Sequence, residues 1–246
     1  MKNNKILVTG ASRGIGQAIA IRLARSGYSL VLHARKAENL ENTIQMLPTS
    51  TPYNILIADF SEPEAVKEFI RTLKKTHKDL FGIISNAGIA LDKPIAYQPE
   101  KDIDLMLQIN LRTPVLLGKY AMKHFIKTKK GVFINIASCI GEMGNAFQSV
   151  YAATKAGLVA LSKSWAKEIG QLAPEHQVRF LSVSPGFVET DMTRGLNAEI
   201  QSKYLESIPA NRFGNTAEVA NLIAFLMSED SPYINGSDIK INGGIL

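Results

Sequence analysis

"ILVTGASRGIGQAIAIRLA", residues 6–24, changes its periodicity part-way along. Ile6, Leu7 and Val8 form a short apolar run of the kind that makes a buried strand. From Ile15 onward the apolar residues recur at three- and four-residue spacing, the period of an amphipathic helix. Gly10, Gly14 and Gly16 fill the join, where a backbone without Cβ atoms can turn sharply and lie close to its neighbours. A strand, a glycine turn and a helix in that order predict the first unit of a parallel α/β sheet.

The rest of the chain repeats the pattern. KILVTG, YSLVLHA, YNILIAD, FGIISNAG, GVFINIAS, VRFLSVSPG and DIKING read as strands. Amphipathic stretches at roughly 14–26, 38–47, 62–77, 99–127, 149–172 and 216–228 read as the helices between them. The expected fold is α/β: a single-domain, Rossmann-like, doubly wound sheet of about seven parallel strands over residues 1–246, with helices on both faces. No repeat or Pro/Gly-rich linker divides it. The least regular stretch, 187–212 after Pro185-Gly186, reads as a substrate-shaping loop.

Composition narrows the class. Hydrophobic residues make up 46% and charged residues 20%, the balance of a soluble globular protein. No apolar run approaches the ~20 residues that span a bilayer, and MKNNKILVTG lacks the apolar centre of a signal peptide. The lone Cys139 excludes an internal disulfide, so a cytoplasmic protein without a membrane role is expected. The net charge of +6 would suit nucleic acid or an acidic partner. Lys123, Lys127, Lys129 and Lys130 cluster, but no helix-turn-helix, zinc-finger or RNA-binding signature accompanies them, so nucleic acid is not expected. Cys139, His33, His77, His124 and His176 have neither metal-ligand spacing nor the local context of a catalytic base; no metal is expected.

The glycine turn, with Ser12, Arg13 and Ile15 between its glycines, predicts a phosphate site. The helix it opens presents free N–H groups and the positive end of its dipole. A site for NAD wants an acid about 20 residues further on, for the ribose 2′-hydroxyl. Here the second strand runs out into His33-Ala34-Arg35-Lys36. Arg35, with Arg13, suits a 2′-phosphate, so NADP(H) is the expected cofactor; the competing reading makes Arg35 and Lys36 solvated helix-entry residues. Asp59, closing the third strand, could accept from an adenine amino group or cap the next helix.

"SVYAATKAG", residues 149–157, places Tyr151 one helical turn before Lys155. The ammonium of Lys155 is placed to lower the pKa of the phenol and make it a usable acid. Ser138 closes the fifth strand in INIAS, at the carboxyl edge where open α/β sheets bind ligands. Asn86-Ala87-Gly88 ends the fourth strand at the same edge. Asn110 sits within a helical stretch although asparagine is a poor helix former, which points to a kink and a held water.

TGASRGIG at 9–16, Asn86-Ala87-Gly88, Asn110, Ser138, YAATK at 151–155 and Pro185-Gly186 together resemble the short-chain dehydrogenase/reductase family, over essentially the whole chain. Within that family GEMGNAFQSVYAATKAG, PGFVETDMTRGL, IPANRFG and YINGSDIKINGG are most similar to the 3-oxoacyl-(acyl carrier protein) reductases. The resemblance implies Tyr151 as general acid, Ser138 as the group polarising a carbonyl, Lys155 on the nicotinamide ribose and Asn110 holding a relay water. Asn86, Ala87, Gly88, Ile89, Pro185, Gly186, Val188 and Thr190 would line the cofactor, with Thr190 near the carboxamide. The implied substrate is a 3-oxoacyl group on acyl carrier protein, and the implied assembly a homotetramer. EIGQLAPEHQVRFLSVSPG is a few residues longer than the subgroup pattern, and Ser85 stands where a first asparagine is usual. Another carbonyl substrate, or a non-catalytic NADP-binding regulator, would carry the same motifs.

Overall fold

A computed structural model describes residues 4–190 and 198–246. The strands are β1 (Lys5–Val8), β2 (Ser29–Ala34), β3 (Tyr53–Ile57), β4 (Leu80–Ser85), β5 (Lys130–Ile136), β6 (Gln177–Pro185) and β7 (Asp238–Ile241). They form one parallel sheet in the order β3-β2-β1-β4-β5-β6-β7. The winding reverses between β1 and β4, which opens a crevice at the carboxyl ends of the strands.

The helices are α1 (Gly14–Arg25), α2 (Glu41–Gln45), α3 (Pro63–Thr76), α4 (Glu100–Leu107), α5 (Thr113–Thr128), α6 (Ile140–Met143), α7 (Ser149–Leu172), α8 (Ala198–Ser207) and α9 (Thr216–Met227). Alternate strand residues face opposite layers, as the pleat requires. Ile6, Val8, Leu30 and Leu32 pack with Leu23 of α1 and Ile223 of α9. Leu7, Val31, Phe133 and Phe180 pack with Phe69 of α3, Phe125 of α5 and Trp165 of α7. Burying each such side chain stabilises the fold by about 1.5–3 kcal/mol. Trp165 is therefore core: it meets Phe133 edge-on at 5.6 Å, over Gly118, where a Cβ would stand 2.3 Å from the indole.

Three local features depart from the sequence reading. The 38–47 helix resolves into a 3₁₀ turn, Glu38–Leu40, followed by the short α2. Because α2 is so short and β3 is an edge strand, Tyr53, Ile55 and Ile57 stay substantially exposed instead of being covered. The single helix expected over 99–127 is interrupted by a π turn, Gln108–Arg112, between α4 and α5. Its side-chain bonds explain the break. The Thr113 hydroxyl donates to the Gln108 carbonyl (2.9 Å), the Gln108 amide donates to the Phe60 carbonyl (3.1 Å), and Pro114 brings no N–H. The irregular stretch 187–212 is tied at its ends by a parallel bridge between Val188 and Gly214, and its centre, 191–197, lies outside the described residues.

Candidate active site

The glycine turn packs against the end of β4. A Cβ on Gly16 would stand 2.1 Å from the Gly10 carbonyl oxygen and 2.5 Å from Asn86 Nδ2, so only glycine fits there. Gly10 adopts φ +64° and lies against Ala87. The Asn86 amide donates to the carbonyls of Thr9 (3.0 Å) and Gly10 (3.2 Å), and the Thr9 hydroxyl accepts from the N–H groups of Asn86 and Ala87. Gly14 faces Thr190, whose Cγ2 would be 3.6 Å from an added Cβ. Among the described residues no side-chain hydrogen bond caps α1, and no acid stands in its first turn, so the helix N-terminus is suited to an anion. Arg35 is exposed at the end of β2 and acts electrostatically on Asp59. Burial works to raise the Asp59 carboxyl, but hydrogen bonds from the Ser61 amide and hydroxyl, with the Arg35 charge, hold it below its usual value. Asp59 thus braces the turn before α3 and does not cap the helix, whose N-cap is Glu62.

At the same edge, Ser138 follows β5 and accepts from the Ile140 N–H at 3.2 Å, which fixes its oxygen at the mouth of α6. Tyr151 stands in the first turn of α7 and Lys155 one turn later. α6 is pressed onto α7 at Gly141, where a Cβ would come within 2.7 Å of the Ala156 nitrogen. The Ser138 hydroxyl lies close enough to the Tyr151 phenol to favour its ionised form. Lys155 is buried and donates to the Ile136 carbonyl at 2.8 Å. A Cβ on Gly88 would lie 3.3 Å from Asn110 Oδ1 and 3.5 Å from Lys155 Nζ, so these three residues converge.

Asn110 is a positioning residue in this arrangement. Its Oδ1 accepts from the Ile89 N–H (2.8 Å), and its Nδ2 donates to the Ile89 carbonyl (2.7 Å) and to Thr154 Oγ1 (3.4 Å). The side-chain amide thus clamps the loop after β4.

The pKa expectation is corrected. Burial pushes the Tyr151 phenol up to about 12; the Ser138 hydrogen bond works against this, while Cys139 and Asp92 add to it. The same burial pushes the Lys155 ammonium down to about 8. The phenol is therefore a protonated donor throughout the neutral range, and the lysine is the group that titrates near it.

A family profile described as enoyl-(acyl carrier protein) reductase matches residues 10–246. The 3-oxoacyl-[acyl-carrier-protein] reductase FabG of Staphylococcus epidermidis is 33% identical over 245 residues, covering 99% of each chain. The chain belongs to the short-chain dehydrogenase/reductase family. The protein of the same FabG name from Aquifex aeolicus is 37% identical, covering 97% of this chain and 96% of its own. A solved structure described as a short-chain alcohol dehydrogenase, from Sinorhizobium meliloti 1021, superposes with a TM-score of 0.92 at 30% identity, covering 100% of this chain and 97% of that one.

As a member of the short-chain family the chain is an oxidoreductase, and its scaffold employs residues that sequence reasoning missed. Thr9 bridges β1 to β4, and Thr43, fully buried, donates to the Ala11 carbonyl at 2.8 Å while accepting from Gln17. Around the catalytic helix, Gln148 donates to Asp92 at 2.7 Å, and Asn145 donates to Gln148 Oε1 and to the Tyr204 hydroxyl. These residues join the β4 loop, the α6–α7 loop and α8. Polar residues flanking YAATK were the available signal. The exposed lysines Lys123, Lys127, Lys129 and Lys130 surround the end of α5 and the start of β5, the edge opposite Ser138. The length of β5 sets the two edges about 20 Å apart. Among the described residues no helix is long and apolar enough to cross a membrane, and no His/Cys/Asp/Glu group could hold a metal ion.

Proposed function

We propose that this chain reduces the 3-oxo group of an acyl thioester carried on acyl carrier protein to the 3-hydroxy product, using NADPH, in fatty acid or related acyl-chain biosynthesis. The observation that carries the reading is the convergence of two hydroxyls, Ser138 and Tyr151, beside a buried Lys155 at the carboxyl edge, the edge at which α1 begins with no acid in its first turn.

The residues fit a dinucleotide. Gly10, Ser12, Gly14, Ile15 and Gly16 would admit the pyrophosphate to the N-terminus of α1, and Arg13 and Arg35 would take the 2′-phosphate. Asn86, Ala87, Gly88, Pro185, Gly186, Val188 and Thr190 would line the nicotinamide half. A bound nicotinamide supplies the hydride. Ser138 donates to the substrate oxygen and holds it beside Tyr151. As the carbonyl π electrons move onto that oxygen, the Tyr151 O–H gives its proton there; burial keeps the phenol protonated until that moment. Lys155 would stabilise the phenolate left behind and bind the ribose.

The matched profile is described by a carbon–carbon double-bond substrate and the curated relatives by a carbonyl one. Two hydroxyls aimed at a single oxygen suit a carbonyl, whose oxygen must be protonated in the product. Lys123, Lys127, Lys129 and Lys130 would receive an acidic carrier protein; because they lie at the edge opposite Ser138, a homotetramer with mouths near neighbouring patches is part of the same reading.

The test is NADPH oxidation with acetoacetyl groups on carrier protein, on coenzyme A and as a free ester, for wild type and Tyr151→Phe. Faster turnover on the carrier-bound group that collapses in the variant supports the reading. Turnover of another carbonyl only would keep the enzyme and replace its substrate; NADPH binding without any turnover would leave a regulatory protein.

A further inference from the structure

His33 lies in the middle of the dinucleotide half of the molecule, where the proposed chemistry gives it no role. It is 2% exposed, on β2, stacked on Phe60 at 3.9 Å with rings 9° apart and set edge-on to Phe69 at 5.0 Å. Both ring nitrogens are used. Nδ1 lies 3.2 Å from the Gly10 N–H and Nε2 lies 3.1 Å from the Ala58 carbonyl. The His33 carbonyl also accepts from the next N–H of the turn, that of Ala11, at 2.9 Å. One residue thus grips two consecutive amides at the start of the glycine turn and ties them to the end of β3.

The chemistry of the partners selects the protonation state. A backbone N–H only donates and a carbonyl only accepts, so Nδ1 must carry a lone pair and Nε2 a proton. An imidazolium would set two N–H groups against each other at Gly10. The charged group facing the ring from the β3–α3 turn is Asp59, itself opposed by Arg35, which follows β2. The glycine turn presents backbone to the ring, and α3 presents Phe69. Burial, only partly offset by the Ala58 bond and Asp59, accordingly favours the neutral ring.

We propose that His33 is a positioning residue for the phosphate turn: its neutral Nε2–H imidazole holds the Gly10–Ala11 amides in the orientation that accepts a dinucleotide. This rests on the nucleotide-binding reading above. The experiment is NADPH affinity by fluorescence titration of the full chain, for wild type, His33→Asn, His33→Gln and His33→Leu. The asparagine Oδ1 can replace the Nδ1 acceptor, whereas the glutamine amide reaches toward the Nε2 position only. His33→Asn should stay within about 2-fold of wild type, while His33→Gln and His33→Leu should weaken NADPH by about 3- to 10-fold at saturating-cofactor kcat near wild type, the loss of one oriented hydrogen bond.

¹⁵N-histidine NMR on the wild type, which needs no variant to fold, should find His33 with a bare Nδ1 and a protonated Nε2 at neutral pH. The Nδ1–H tautomer, an imidazolium at neutral pH, or equal affinities in all four proteins would overturn the proposal and leave nucleotide binding standing. Failure of the wild type to bind either NADPH or NADH would instead overturn the nucleotide reading, and the proposal with it.

Discussion

Lys155 Nζ lies 5.6 Å from the centre of the Tyr151 ring, yet its hydrogen bond goes to the Ile136 carbonyl. The pair is close enough for the charge to be felt and is not in direct contact. Burial moves the two groups in opposite senses, the phenol up to about 12 and the ammonium down to about 8.

This separates their signatures in a pH profile. Tyr151 keeps its proton below about 12 and Lys155 its charge below about 8. The basic limb of kcat/KM for reduction should therefore fall near pH 8 and report the lysine; a limb appearing only in the range of the phenol would contradict this assignment. Tyr151→Phe should lower kcat by about 10²–10⁴-fold, the usual contribution of a positioned acid, with NADPH affinity retained.

Arg35→Glu should invert the coenzyme preference. It removes a guanidinium suited to a 2′-phosphate and places a carboxylate suited to a 2′-hydroxyl. NADPH affinity should fall by about 10- to 100-fold while NADH affinity is kept or improved, as dissociation constants for both would reveal.

Asn110→Ala would strip partners from both backbone groups of Ile89. Leaving them unsatisfied should cost about 2–4 kcal/mol, read as a drop in Tm of roughly 5–15 °C. Activity should fall with it, because Gly88 and the loop after β4 lose their clamp.

Two glycine substitutions should behave in opposite ways. Gly16→Ala forces a Cβ into the Gly10 carbonyl and should abolish nucleotide binding or folding. Gly170 of α7 has nothing within 4 Å of an added Cβ and an ordinary helical backbone, so Gly170→Ala should raise stability by up to about 1 kcal/mol. Thermal melts of the two variants check both.

His33 makes folding stability depend on pH in a predictable direction. Its folded pKa is lowered from 6.5 to about 4, so between those values the unfolded chain binds a proton that the folded chain refuses. Stability from this group is complete above pH 6.5 and is lost as the pH falls toward 4, by up to about 3 kcal/mol. Urea unfolding of wild type and His33→Asn at neutral and mildly acidic pH should show the steeper acid loss in wild type.

The parts legible in the sequence were those set by local pattern. The seven strands follow from short apolar runs, and α7 begins and ends at 149 and 172 as its periodicity indicates. The glycine turn and the Tyr151–Lys155 spacing could be read because each is a local stretch. The less legible features depend on partners distant in sequence. Asn110 looked like a kink, but its clamp on Ile89 needs the β4 loop beside it. Thr9 and Thr43 are unremarkable residue types until β4 brings Asn86 to the one and α2 folds the other onto Ala11 of the glycine turn. His33 carried a faint signal, a titratable ring inside an otherwise apolar strand. The direction of the Tyr151 shift was misjudged because spacing reports proximity to a charge and not the desolvation that outweighs it.

The bridge between Val188 and Gly214 closes the stretch 189–213 at its base. Around that closure Gly214 donates to the Phe187 carbonyl and Glu189 donates to the Gly214 carbonyl, at 2.9 and 2.8 Å. The two ends are therefore held side by side by backbone bonds. That pairing is made by main-chain groups, so it makes no demand on the side chains of Phe187 or Glu189, and the chain departs from β6 and returns toward α9 through one shared backbone junction.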